Sequence, residues 1–203
     1  MAGLVRSRLP PAAREWLEAG VRQAAGVRGK EQALAFVLDR VEELLRVVVP
    51  TFVQHPLPVS PLGGRWVVGA AAAGAATVEE WEAVATFVSG GAAAPVTLPA
   101  VLAANLGAFV LEVYVATSVR ARMLSEAGRP VDPARVAADV AAAVTGLSGR
   151  GDTRALAERV ARHLLGRWFA GAVPVAGIAV DAHAAQATVR RIAELPLAGA
   201  DDG

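Results

Sequence analysis

Three histidines, Asp181, Glu112 and a spread of arginines are the residues through which this chain could do chemistry. Asp181 and His183, with His163 not far before them, suggest a metal site. Helical geometry argues against it, because residues two apart lie about 200° apart and cannot share one coordination shell. The chain has no cysteine and no His-Glu-x-x-His spacing, so a zinc site lacks its usual donors. Asp181 flanks an apolar stripe of Val175, Ile178, Ala182, Ala185, Val189 and Ile192, and His183 points away from it. Asp181 therefore reads as a cap or an ion-pair residue, with no metal and no cofactor expected. A hydrolase-type site built from Glu112, Asp181 and a histidine is the alternative to a non-enzymatic protein.

Glu112 is the most informative single residue. No charge separates it from Glu82 on one side or from Arg120 on the other. On a helical wheel Val101, Asn105, Ala108 and Glu112 fall on one stripe. Asn105 and Glu112 could form a buried polar pair that binds an ion or a polar ligand. Otherwise Glu112 pairs with an arginine of a neighbouring helix or reaches water. Pairing is the expectation, because buried carboxylates are usually paired, and a carboxy-terminal arginine such as Arg190 or Arg191 is the expected partner.

Residues 154–170 carry Arg154, Arg159 and Arg162 opposite an apolar stripe of Leu156, Val160, Leu164 and Trp168. Such a helix, with Trp168 and Phe169 at one end, suits an anionic membrane surface, though a bundle helix with a solvated arginine face is the stronger reading. The tripeptide Arg150–Gly151–Asp152 reads as a helix entry with Asp152 as cap. "GRWVVGAAAAG" is no phosphate loop, since no Lys-Ser/Thr follows and Lys30 is the only lysine.

The elements that must position these residues are helical, and no β-branched alternation suggests a sheet. Helices are predicted over 11–25, with Trp16 and Leu17 inward, and over 30–54, with Leu34, Leu38, Val41 and Leu45 inward and Pro50 as a kink or end. A Pro/Gly-rich stretch, 55–64, is a loop and a candidate subdomain boundary after the amphipathic helices of 1–54. Further helices are expected over 65–89, 98–127, 133–146, 154–170 and 174–194. Asp132–Pro133 marks a helix start, an acceptor cap followed by proline at the first helical position. Two Ala/Gly-rich hydrophobic segments, around 66–78 and 168–180, read as central packing seams. The fold class is all-α, a single bundle-like domain of about seven helices over 1–203.

Residues 98–119 have the length to cross a bilayer, about 20 residues. Their apolar side chains favour insertion by about 3–6 kcal/mol, and Glu112 takes back about 3 kcal/mol, with Asn105 and Pro99 taking more. The near-zero sum points to a buried central helix. Net charge is +1, so no bulk field selects a partner, and nucleic-acid binding lacks both a basic field and an aromatic platform. Alanine accounts for 46 residues, so Leu, Val, Phe and Trp must supply the core. Without cysteine or a signal-like amino terminus, the chain is expected in the cytoplasm.

The segments "TLPAVLAANLGAFVLEVYVATSVRARMLSEAGRPVDP" (97–133) and "RVARHLLGRWFAGAVPVAGIAVDAHAAQATVRRIA" (159–193) resemble the EcsC family of bacterial helical proteins. The family pattern is a Leu-Pro before a long apolar helix, a Gly turn, then a basic amphipathic helix running into a Pro-x-x-Gly segment that ends in a polar residue. Pro99, Gly128, Asp132, Pro174, Gly177 and Asp181 take the matching places over roughly 95–195. The acidic residue common soon after the Leu-Pro is absent here. The resemblance implies a non-enzymatic protein peripheral to the inner face of a membrane, or bound to a membrane protein complex. The alternative is a soluble helical module that holds a hydrophobic or amphipathic ligand between its helices. Nothing in the sequence sets an oligomeric state.

Overall fold

The structure, a computed structural model, describes residues 9–60, 63–64, 98–147, 152–170 and 174–197, with the side chains at 100, 101, 104 and 169–182 outside the description. The helix read over 65–89, the Ala/Gly-rich segment at 66–78 and the side chains of the 168–180 corner beyond Trp168 lie outside the described residues. Six helical rods and no strand make up what is described. They are α1 (Pro11–Ala24), α2 (Lys30–Glu43) continuing through a π turn (Leu44–Val48) into α3 (Val49–Gln54), α4 (Leu98–Glu126), α5 (Pro133–Thr145), α6 (Thr153–Ala170) and α7 (Pro174–Glu194).

The π turn explains how the second rod survives a proline. Pro50 has no N–H to donate and would crowd the carbonyl four residues back, which belongs to Arg46. The turn spans that residue, and the Val49 N–H reaches five residues back to the Leu44 carbonyl. The helix runs on to Gln54 rather than ending at Pro50. The rod's deepest line is Ala33, Val37, Val41, Leu44 and Val48, with Leu34 and Leu38 half-buried beside it. In α1, Trp16 is buried and its indole N–H donates to the Arg40 carbonyl at 3.0 Å, tying α1 to α2.

Helix α4 is the axis of the molecule and packs on α1, α3, α5 and α7, while α2 lies along α6. Every residue from Glu112 to Ala121 is buried. A helix that is apolar all round belongs inside a protein or a membrane, and here its neighbours cover it. Among the described residues no helix is long and apolar enough to cross a membrane. Gly64 shows how closely the chain approaches α4, because a Cβ there would meet Val115 Cγ1 at 3.0 Å and Val189 Cγ1 of α7 at 3.4 Å. The loop after α3 is pinned to the same helix. The Tyr114 hydroxyl donates to the His55 carbonyl at 2.8 Å, and the Leu57 N–H donates to Ser118 Oγ at 2.9 Å.

Helix ends follow their caps. Asp132 is extended (φ −84°, ψ 121°), and its carboxylate accepts from the Ala134 and Arg135 amides at 3.3 and 3.0 Å. Asp152 accepts from the Ala155 amide at 2.7 Å at the start of α6, which places the third residue of the Arg-Gly-Asp tripeptide in a capping role. Helix α5 ends on Gly146 in the left-handed region, φ +70°, where the Arg191 guanidinium covers it and donates to the Ala143 carbonyl at 3.0 Å. Replacing Asp132 by alanine is expected to cost about 1 kcal/mol, since two amides lose their acceptor. A thermal melt should show a small downward shift, and an unchanged midpoint would show that the cap contributes nothing.

Candidate functional site

Three helices bring polar side chains together inside the core. Glu112 on α4 is 1% exposed, Thr188 on α7 is 1% exposed, and the Arg167 side chain near the end of α6 is 7% exposed. Arg167 Nη2 donates to Glu112 Oε2 at 3.0 Å, and Thr188 Oγ1 donates to Glu112 Oε1 at 2.6 Å. Thr188 also lies 3.2 Å from the Ala184 carbonyl, but its single proton favours the shorter bond to the charged acceptor. Both carboxylate oxygens are thus bonded, as a buried charge requires.

The expected pairing of Glu112 is therefore present, but with a different arginine. Arg190 is largely exposed and lies 3.9 Å from Glu194 one turn on, and Arg191 is spent on the end of α5. Arg167 was legible by one signal. It stands seven residues after Val160, about 20° from it on the wheel, so it occupies the apolar stripe rather than the solvated face. Thr188 is likewise set between Ala185 and Ile192 of the buried α7 stripe. Charged and hydroxyl residues on apolar stripes were the clue. Asn105, half-buried, sits two turns before Glu112 on α4.

His163 lies one turn before Arg167. Partial burial lowers its pKa first, the positive charges of Arg167 and Arg191 lower it further, and Glu112 opposes them. The folded state then binds fewer protons than the unfolded chain, whose histidine titrates near about 6.5. Stability contributed by neutral His163 is present above that pH and is lost below it, as the pH falls through the lower folded-state pKa. The urea midpoint should drop between neutral pH and pH of about 5.5, and His163→Gln should flatten that part of the drop. An identical drop in the variant would assign the effect to other groups. Asp181 lies outside the described side chains, and His183 is exposed. Among the described residues no group of three or more potential ligands is placed to hold a metal ion.

The arginine face of α6 is the expectation that changes most. Arg154 pairs with Asp39 at 3.2 Å and with Glu42, both on α2, and Arg162 pairs with Glu158 one turn earlier. Arg159 is half-buried. Trp168 is 3% exposed and belongs to the core with Leu156, Val160 and Leu164. A tryptophan anchors a membrane surface only where its ring can reach the headgroups, so Trp168 is corrected to a packing residue. The stripe that placed it beside Leu164 was the stronger signal.

A second buried charge went unremarked in the sequence. Arg120, 1% exposed on α4, donates from Nε to Asp139 Oδ2 on α5 at 2.7 Å, from Nη1 to the Leu195 carbonyl at 3.1 Å and from Nη2 to the Pro196 carbonyl at 2.8 Å. Arg135 Nη2 adds a bond to the Leu197 carbonyl at 3.3 Å.

Fold and site together define an all-helical protein whose central helix carries two buried, fully engaged charges, one toward α6 and α7 and one toward α5 and the segment after α7. No protein-family model matches the chain, and neither a curated protein nor a solved structure matches it.

Proposed function

We propose that this chain is a non-enzymatic, EcsC-like helical protein, bundle-like in arrangement, that associates peripherally with a membrane complex on its cytoplasmic side. The resemblance in residues 97–133 and 159–193 supports the membrane neighbourhood. The observation that carries the choice of partner is the pairing of Arg154 with Asp39 and Glu42 and of Arg162 with Glu158. An arginine face that cancels its own charge attracts an anionic lipid surface weakly, because that attraction comes from uncompensated basic charge, worth about 1 kcal/mol each. The partner is therefore a protein of the complex rather than the lipid itself.

Purified chain should stay with the aqueous phase when mixed with protein-free phosphatidylglycerol vesicles at low salt. It should pellet with membranes from its host, and protease treatment of those membranes should abolish the pelleting. Salt-sensitive flotation with the protein-free vesicles would restore the lipid surface as the partner. Failure to pellet with host membranes would favour a ligand-binding module instead. One feature supports that second reading: an open groove of about 590 Å³ lined by Ala25, Val27, Arg28, Gly29, Leu98 and Pro99. Its walls are mainly apolar, and Arg28 is held there by the Ala25 and Val27 carbonyls at 2.7 and 3.2 Å.

A further inference from the structure

We draw no further inference here: the strongest candidate, the open groove between the turn that joins α1 to α2 and the first residues of α4, carries nothing, because its Arg28 already bonds the Ala25 and Val27 carbonyls and nothing in the structure shows what covers its apolar walls.

Discussion

Glu112→Gln is expected to lower the unfolding free energy by about 3–5 kcal/mol, the usual consequence of removing one member of a buried ion pair. Arg167 would keep its charge in an environment only 7% exposed, facing a neutral amide in place of the carboxylate. Thr188 would lose a charged acceptor at 2.6 Å and meet an amide that must choose which end to present. The double replacement Glu112→Leu with Arg167→Met should recover most of that loss, because apolar residues of similar volume avoid the desolvation cost altogether. A denaturant melt of Glu112→Gln that overlays wild type would refute the buried pair. A raised midpoint would instead mean that the carboxylate is held there at a cost for its charge, as a ligand site requires.

Arg120→Ala should cost about 3–5 kcal/mol as well, from two sources. It removes one of the largest fully buried side chains, leaving a cavity beside α4, and it strands two carbonyls and Asp139. Asp139 is 22% exposed and can turn to water, so its share of the loss is the smaller one. Arg120→Lys separates packing from recognition. Lysine keeps the charge and much of the stem, but a compact ammonium cannot serve a carboxylate and two carbonyls in the directions a planar fork does. It should recover part of the stability while leaving the segment 195–197 open to faster proteolysis. Unchanged proteolytic resistance there in Arg120→Lys would show that the segment is held by its leucines alone.

The course of the helices was largely legible in the sequence. Proline after an acceptor at Asp132, Asp152 before Thr153 and glycine at Gly146 act over three or four residues, so they need no knowledge of the rest of the chain. The stripe Leu156, Val160, Leu164 and Trp168 is buried as its spacing requires. That stripe outranked the surface reading of Trp168, because one helix face cannot both fill a core and lie on a membrane. Leu34 and Leu38 proved flanking rather than central. The deep line of that rod runs through Ala33 and Val37, and α6 packs along the same rod.

That Glu112 must be paired followed from the chain alone: one charge in a long apolar helix has no other stable option once the helix is covered. Which arginine pairs with it did not follow. Arg190 and Arg191 had the same charge and length as Arg167, and the choice depended on where α6 and α7 cross α4. Crossing positions come from ridges fitting grooves across many residues at once, so no local pattern states them. The neutralised arginine face and the clamp of Arg120 and Arg135 on residues 195–197 share that origin. Each joins residues distant in sequence, and each exists because packing brought their helices within hydrogen-bond range. Composition and spacing determined that the chain is helical, where its caps fall and that its central helix carries charge inward. The tertiary structure alone decided which partners meet that charge, because a hydrogen-bonded pair needs its atoms within about 3 Å and only packing sets distances that short.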